Sequence, residues 1–535
     1  MRQGGIAVAQ IKKITAERRD TRIQSNENRV VRIKTENGRG SALRILIIAA
    51  IIAVQLGLLI YFYVELAMAF RSYLVFSFVM SLLTCIYVLS TNKNSLSKAV
   101  WIIFLLLGFV FSYTVYFLSD ERIFFNRPKK KYSRIFKETE GLLGKYREGR
   151  EPSSSECAAR YLYSVGGYPN FTGTECKYYS SGSLFFDDVL AEISRAEKFI
   201  FLEFFIVSDG VLMRRFTDII KRKCEEGVDV RLIYDDMGSN KTLSRKTISQ
   251  LASAGVRIMP FNRLIPIFSV AMNYRDHRKI VVVDGKRAFS GGVNFADEYI
   301  NEKRMFGYWK DAGLGLAGDA VRSFTLMFLR QWRYLSSKKE DLAPYLAPQP
   351  SRPSEHYVIP FADGLDHKAP IGKGIYELLI SGAARRILIM TPYFIPGDTI
   401  TDLLIAKAHA GVDVKLILPG IPDKAFVYAV SRNNAEKLID HGVELYCMKQ
   451  SFVHTKLVIA DDSLVVGSIN MDLRSFYQQF ECAVFTNDPR ILNDATLDYE
   501  DTLRESERIL PEAKKRNNLF RRIFTGVMQI FAPFM

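Results

Sequence analysis

The feature that most constrains the fold is an internal repeat that fills most of the chain after residue 155. The segment 227–233 (GVDVRLI) recurs 184 residues later as 411–417 (GVDVKLI), and a second Gly-Val pair recurs with an offset of 187 residues. Each copy alternates β-branched, strand-like runs with helical patterns, which is typical of an α/β protein. Two copies of one unit predict two similar sheets related by a pseudo-twofold axis, so that equivalent residues can meet at the seam.

Each copy contains one segment of the pattern H-x-K-x4-D, and the two histidines are 177 residues apart. On average residue frequencies, fewer than about one in a hundred histidines would be followed by Lys and Asp at these positions by chance. The chain has only six histidines, and two of them are. Alternate residues of a strand face the same side, so His and Lys share a face while the aliphatic residues that follow are buried. We therefore predict catalytic residues in both copies rather than two structural histidines: His277, Lys279 and Asp284 in the first copy, and His454, Lys456 and Asp461 in the second.

A small-residue turn that ends in asparagine follows each motif, and it supplies further hydrogen-bond donors. The turns are 291–294 (GGVN) and 467–470 (GSIN), which place Asn294, Ser468 and Asn470 in the predicted substrate site. Two imidazoles, two ammonium groups, the amides and a hydroxyl suit a tetrahedral anion, most simply a phosphodiester. One histidine can attack phosphorus while the other protonates the leaving alkoxide and later deprotonates the acceptor.

A carboxylate partner would orient each imidazole and tune its pKa. Glu481, 27 residues after His454, is the predicted partner of His454, and Asp311 is the predicted partner of His277. The alternative for either carboxylate is a solvated surface position. No metal or other cofactor is predicted, because a lysine beside each histidine repels a dication and the carboxylates are few.

Three apolar stretches precede the repeats: 45–64, 73–89 and 99–118. The first is 20 residues long, enough to cross a hydrocarbon layer of about 30 Å. Basic residues flank the region on both sides, which places both flanks in the cytoplasm and favours an even number of crossings. We therefore expect one of the last two stretches to be re-entrant or interfacial; the alternative for the region is a buried core hairpin.

The whole chain divides into seven predicted segments. They are a basic cytoplasmic tail (1–44), a membrane region of two or three apolar helices (45–118), a basic linker (119–154), the first repeat (155–335), a linker (336–366), the second repeat (367–505) and a basic amphipathic C-terminal helix (506–535). The C-terminal helix suits a membrane interface, or alternatively caps the soluble core. The first copy alone has an apolar insert, 263–272, which could receive acyl chains or form a buried strand or loop.

The net charge of +16 indicates an anionic partner, either nucleic acid or membrane lipid. The basic residues crowd the N-terminal 44 residues, residues 122–150 and the last 22, where apolar stretches adjoin them. Charge in those places predicts anchoring on anionic membrane lipid and no nucleic-acid partner. The oligomeric state cannot be read from the sequence.

The paired H-x-K-x4-D segments with their trailing G-x-x-N turns resemble the phospholipase D superfamily over roughly residues 155–505. Narrower segments resemble its bacterial cardiolipin synthase branch, namely 273–279 (NYRDHRK), 291–298 (GGVNFADE), 391–396 (TPYFIP) and 467–476 (GSINMDLRSF). The resemblance implies a two-lobed body of duplicated phospholipase D-like α/β units behind an N-terminal transmembrane helical region. It also implies a bacterial inner-membrane, multi-pass enzyme with its catalytic body on the cytoplasmic side.

The reaction implied by the resemblance is transfer of a phosphatidyl group from one phosphatidylglycerol to another, which gives cardiolipin and glycerol without metal or nucleotide. In the superfamily the nucleophile is usually assigned to the first copy, so His277 would form the phosphatidyl-histidine and His454 would be the general acid and base. A phospholipid hydrolase, or a transferase with another acceptor alcohol, would use the same residues. A nuclease of the superfamily and a non-catalytic membrane scaffold are the remaining alternatives.

Overall fold

The computed structural model describes residues 39–69, 71–91, 95–108, 111–119, 126–144, 154–264, 274–349, 354–364, 367, 369–513, 526 and 528. The predicted basic tail up to residue 38 lies outside the described residues. So do residues 265–273 of the apolar insert and, apart from Gly526 and Met528, the C-terminal segment after residue 513.

Four apolar helices occupy the predicted membrane region. They are Arg39–Ala69, Arg71–Ser90, Ser95–Leu107 and Ser112–Ser119. In the described part of the chain, Arg71–Ser90 is the one helix long and apolar enough to cross a membrane. The third predicted stretch is not one helix but is divided between the last two, and a helix of 13 residues spans only about 20 Å. The transmembrane arrangement therefore stays a prediction, and a re-entrant third stretch fits the break.

The rest of the described chain is a mixed α/β structure. The helices are Asn126–Glu138, Ser154–Gly166, Gly182–Ser194, Val211–Glu225, Asp236–Ser239, Arg245–Ser253, Val321–Ser336, Ile371–Gly382, Asp398–His409, Ala425–Ile439, Leu473–Gln478 and Pro489–Arg504, with 3-10 turns at Ala343–Tyr345 and Pro511–Ala513. The strands are β1 (Phe171–Thr172), β2 (Glu175–Tyr179), β3 (Phe199–Phe204), β4 (Asp229–Asp235), β5 (Arg257–Phe261), β6 (Arg275–Asp276), β7 (Ile280–Val283), β8 (Arg287–Gly291), β9 (Tyr308–Lys310), β10 (Gly313–Ala317), β11 (Tyr357–Asp363), β12 (Arg386–Met390), β13 (Phe394–Ile395), β14 (Asp413–Pro419), β15 (Glu444–Met448), β16 (Ser451–Val453), β17 (Leu457–Ala460), β18 (Ser463–Gly467), β19 (Met471–Asp472), β20 (Gln479–Thr486) and β21 (Ser506–Arg508).

Two large sheets repeat the same strand order, which confirms the prediction of a duplicated α/β unit. The first runs β2-β10-β8-β7-β3-β4-β5, and the second contains β20-β18-β17-β12-β14-β15 in the corresponding positions. In both, two parallel pairs at one side (β3-β4-β5 and β12-β14-β15) adjoin antiparallel strands that carry the motifs. The inner strands are buried on both faces because helices cover them, so they read as continuous apolar runs.

Short strands join the two repeats at the seam. β6, just before His277, pairs in parallel with β20 of the second repeat. β16, just before His454, pairs in parallel with β9 of the first repeat. Each motif histidine therefore lies between a lead-in strand held by the other repeat and the next strand of its own repeat, β7 or β17, and this exchange determines the geometry of the site.

Candidate active site

The two motif histidines lie at the seam in equivalent backbone settings. The His277 amide donates to the Phe480 carbonyl at 2.8 Å, and the His454 amide donates to the Lys310 carbonyl at 2.7 Å. Both imidazoles and the ammonium groups of Lys279 and Lys456 are buried. Each ammonium group donates to the backbone carbonyl of its own motif histidine, which holds His and Lys of a motif together in the short segment between two strands.

The carboxylate partners are crossed with respect to the sequence prediction. The Nδ1 atom of His277 lies 3.0 Å from both Glu481 carboxyl oxygens, and Nδ1 of His454 lies 2.7 Å from Asp311 Oδ2. The predicted pairs, Glu481 with His454 and Asp311 with His277, are therefore wrong. The physical reason is the seam pairing: β20 and β9 deliver each carboxylate beside the lead-in strand of the opposite histidine. Nearness along the chain did not reveal this exchange.

The two carboxylates are supported differently, although they occupy equivalent places. The Ser468 hydroxyl donates to Glu481 Oε2, and the hydroxyl also accepts from the Cys482 amide at 2.9 Å. The counterpart of Ser468 in the first repeat is Gly292, where a Cβ atom would lie 2.1 Å from Asp311 Oδ1. Ser468 therefore holds its carboxylate by a hydrogen bond, whereas Gly292 makes room for a carboxylate that also accepts from the Ala312 amide at 2.9 Å.

Burial controls the charge state of the four motif side chains. It lowers the pKa of Lys279 to about 8 and that of Lys456 to about 7, with the nearby carboxylates opposing the shift. Burial and the charges of the two lysines lower the pKa of His277 well below its usual range. Burial and the Lys456 charge lower the pKa of His454 to about 4, although Asp311 acts in the opposite direction. The site is thus desolvated, favours neutral imidazoles and is short of negative charge.

The pKa values of the two carboxylates are shifted in opposite directions. Burial raises the pKa of Glu481 well above its usual range, and Lys279 and the Ser468 hydrogen bond only partly offset it. Burial also acts to raise the pKa of Asp311, but the His454 and Lys456 charges and the hydrogen bond from His454 outweigh it, so that pKa is lowered. An ionised Asp311 stabilises a protonated His454, whereas a Glu481 that favours its neutral form does less for a protonated His277.

The motif aspartates do not contact this group, and the catalytic role predicted for Asp284 and Asp461 stays a prediction. Asp284 accepts the backbone amides of residues 197, 198 and 199 at 2.9, 2.7 and 2.9 Å. Asp461 accepts those of residues 384, 385 and 386 at 2.7, 2.9 and 2.9 Å. Both lie at the end of the strand remote from the histidine and have positive φ angles of 54° and 49°. Each motif aspartate follows the end of a strand, as predicted, and its carboxylate binds three successive backbone amides at the start of the neighbouring strand.

The predicted asparagines are both buried, and their side chains are used differently. Asn294 is fully engaged: its Oδ1 atom accepts from the Ile206 amide at 3.1 Å and its Nδ2 atom donates to the Tyr299 hydroxyl at 2.6 Å. The Oδ1 atom of Asn470 is buried without a hydrogen-bond partner among the described residues. Of the two amides, the Asn470 side chain is the one with unused hydrogen-bonding capacity.

Sequence reasoning missed an aromatic wall around His454. Tyr299, Trp309 and Phe452 lie with their ring centroids 5.2, 5.5 and 5.9 Å from the His454 ring. On the other side, Phe205 lies 5.0 Å from the His277 ring. These rings exclude water, which strengthens the electrostatic interactions in the site. No motif spacing marks them; the single signal was their adjacency to motif residues in the chain.

The chemistry available to this group is that of a phosphodiester site. A neutral imidazole supplies the nucleophile, a second imidazole carries the proton once it is protonated, and two ammonium groups supply positive charge for the non-bridging oxygens. The lysines also balance the buried negative charge of a phosphodiester. Binding of the phosphodiester in turn offsets the lysine charges that disfavour protonation of the imidazoles.

Comparisons with known proteins agree with this chemistry. The family described as "Cardiolipin synthase, PLD-like domain" matches residues 189–304 and 377–502. A protein of Bacillus anthracis named cardiolipin synthase 2 is 35% identical over 465 residues, 85% of this chain and 90% of its own length. An uncharacterized protein of Streptococcus mutans serotype c is 36% identical over 461 residues, 84% of this chain and 99% of its own length. Each is a relative to which this chain is similar over most of its length.

A solved structure shares the fold. The crystal structure of phosphatidylserine synthase from Haemophilus influenzae Rd KW20 superposes with a TM-score of 0.54 and 15% sequence identity, covering 71% of this chain and 97% of that chain. At that identity the likeness concerns the fold alone, and it supports the two-repeat α/β architecture described above.

Proposed function

The chain belongs to the bacterial cardiolipin synthase branch of the phospholipase D superfamily, and from that premise we propose that it transfers a phosphatidyl group from one phosphatidylglycerol to a hydroxyl of a second, giving cardiolipin and glycerol. The observation that carries the proposal is the pair of crossed His–carboxylate contacts at the seam, with two buried lysines beside them. Enzymes of this branch are phospholipid phosphatidyltransferases, and their substrates place the catalytic body at a membrane surface.

In the first half of the proposed reaction, Nε2 of His277 attacks phosphorus and the bond to the glycerol oxygen breaks. His454, which is protonated once the anionic phosphodiester is bound, gives this proton to that oxygen, so glycerol leaves as a neutral alcohol and the phosphatidyl group remains on His277. The ionised Asp311 supports this assignment because it stabilises the protonated form of His454. The strongly lowered pKa of His277 supports an unprotonated nucleophile.

In the second half, His454 takes the proton from a hydroxyl of the second phosphatidylglycerol, and the resulting oxygen nucleophile displaces His277 from phosphorus. Lys279 and Lys456 supply positive charge to the non-bridging oxygens in both steps, the part that a metal ion plays in many phosphoryl-transfer enzymes. We therefore propose a metal-independent reaction, and dialysis against a chelator should leave the rate unchanged.

The test is mass spectrometry of the lipids made by the purified full-length protein in phosphatidylglycerol vesicles. Cardiolipin with release of glycerol supports the proposal, whereas phosphatidic acid as the product identifies a hydrolase instead. We expect His277→Ala to abolish product and His454→Ala to leave at most a trapped phosphatidyl-enzyme. The control is His409→Ala, since His409 lies away from the seam and contacts His441 at 3.1 Å. Full activity of either motif variant contradicts the mechanism.

The membrane arrangement is a separate proposal. An even number of crossings, with both basic flanks in the cytoplasm, accounts for the charge distribution and for the division of the third apolar stretch into two short helices. A reporter fused after residue 125 tests it, and a periplasmic or extracellular signal overturns it.

A further inference from the structure

The residues beside the two motifs are chemically different, despite the duplication. Two residues before each motif histidine, the first repeat has Arg275 and the second has Phe452. Four residues after each motif asparagine, the first repeat has Glu298 and the second has Arg474. The two partners in the reaction proposed above also differ, because one leaves as neutral glycerol while the other arrives with a phosphate of its own.

Arg474, which is half-buried, differs from the fully buried arginines of the catalytic body in forming no direct ion pair with a described residue. Its Nε atom is buried without a hydrogen bond, and no described residue forms an ion pair with its guanidinium group. Three fully buried arginines are paired with acids: Arg231 with Glu340 at 2.6 Å, Arg275 with Asp235 at 3.4 Å, and Arg278 with Glu203 at 2.7 Å. A partly desolvated charge without a direct ion pair is unfavourable, so its presence indicates a ligand that supplies the opposite charge.

The position of Arg474 relates it to both ends of the site. Its charge acts on His277; the carboxylates of Asp472 and Asp235 attract it, Arg275 repels it, and it also interacts electrostatically with Tyr393. Tyr393 in turn interacts with Tyr299, which contacts the His454 ring. Arg474 therefore lies beside the reacting centre rather than within the His–Lys group that holds the transferred phosphate.

We propose that Arg474 is the subsite for a second phosphodiester, that of the acceptor lipid. The inference rests on the proposed function. The two phosphates of cardiolipin are joined by a single glycerol, so when the acceptor hydroxyl meets phosphorus its own phosphate lies one glycerol length away. A guanidinium group suits this role because its planar donors match phosphate oxygens in pairs. The subsite selects an anionic acceptor over water and neutral alcohols.

The experiment compares two reactions of the same phosphatidyl-enzyme in phosphatidylglycerol vesicles. Cardiolipin formation needs the second phosphate, whereas incorporation of radiolabelled glycerol into phosphatidylglycerol does not. For Arg474→Gln we expect cardiolipin formation to fall at least about tenfold, as loss of a charged hydrogen bond implies, with glycerol incorporation within about twofold of wild type. Arg474→Lys, which keeps the charge without the planar donors, should give an intermediate rate of cardiolipin formation.

The controls separate the possible outcomes. Arg385→Gln removes an exposed arginine at the amino end of β12, far from the seam, and should change neither reaction. An equal fall in both reactions for Arg474→Gln overturns the proposal, because Arg474 would then serve the transferred phosphate or the fold. No fall in cardiolipin formation also overturns it. If the wild type makes no cardiolipin but still exchanges glycerol, the proposed function fails instead, and that outcome is distinguishable from the first two.

Discussion

Replacing Lys456 by methionine should abolish activity and at the same time stabilise the folded protein. Lys456 is completely buried, and its pKa of about 7 lies some three and a half units below the ordinary value of 10.5. Each unit corresponds to about 1.36 kcal/mol, so below pH 7 the charged lysine destabilises the folded state by roughly 5 kcal/mol, taken as an upper estimate. Methionine has a similar length and does not carry this penalty.

The stability gained by Lys456→Met should depend on pH in a defined direction. Between pH 7 and 10.5 the unfolded lysine holds a proton that the folded one has lost, so the wild-type protein gains stability as pH rises. The advantage of Lys456→Met is therefore full below about pH 7, shrinks above it and vanishes near pH 10.5. Loss of the ammonium group removes a principal source of positive charge for the phosphate, so phosphatidyl transfer should fall by at least about a hundredfold.

The assay is thermal unfolding of the detergent-solubilised full-length protein at pH 6.5 and pH 9.5, with lipid product measured on the same preparations. Lys437→Met is the matched control: that lysine is exposed on the helix Ala425–Ile439, and its loss should change stability by less than about 0.5 kcal/mol. A lower unfolding temperature for Lys456→Met at pH 6.5 refutes the reasoning. So does a gain of the same size at both pH values, because packing rather than charge would then explain it.

Three further predictions concern the charge of the site and the residues that hold it together. The kcat/KM of phosphatidyl transfer should fall as pH rises from about 7 to about 8, where Lys456 and Lys279 lose their protons in the free enzyme. A bound anion stabilises the protonated lysines, so the fall of kcat should occur at higher pH. A pH-independent kcat/KM between about pH 7 and about pH 8 contradicts this prediction. Gly292→Ala should lower kcat at least about tenfold, because the added methyl group pushes Asp311 away from His454. Thermal unfolding of the variant should be unchanged. A wild-type kcat contradicts the close contact between residue 292 and Asp311. Asp284→Ala should lower stability by about 1 to 3 kcal/mol through the loss of three backbone hydrogen bonds while leaving the kcat of the folded fraction unchanged, and a selective loss of kcat supports a catalytic role.

The sequence predicted the elements of the fold well because the duplication and the strand patterns are local signals. The paired GVDV segments marked β4 and β14 correctly. The alternation around His277 and His454 predicted strand faces, whereas both histidines and their lysines lie in short segments between strands. The carboxylate pairs were assigned wrongly because the exchange of lead-in strands across the seam is a long-range contact. Spacing along one repeat contains no information about which carboxylate meets which histidine.

Two other differences have distinct physical origins. Asp284 shares a regular spacing with the catalytic residues, but a short polar residue at a strand end is equally suited to accept turn amides, and spacing alone does not separate the two uses. Arg474 belongs to no repeated pattern, since its counterpart is Glu298. A position at which the two copies disagree was therefore passed over by reasoning that looked for agreement.

The crossed pairs explain why a duplicated protein of this kind needs both copies in contact. His277 relies on Glu481 from the second repeat, and His454 relies on Asp311 from the first, so neither repeat alone contains a complete His–carboxylate pair. Outside these pairs the two repeats can differ in sequence. Arg474, at the position where the first repeat has Glu298, changes the surroundings of one motif without changing those of the other. The two His–Lys–carboxylate groups are alike, whereas the residues beside them differ. This arrangement matches the proposed reaction, in which one phosphatidyl group passes from a neutral leaving alcohol to an anionic acceptor.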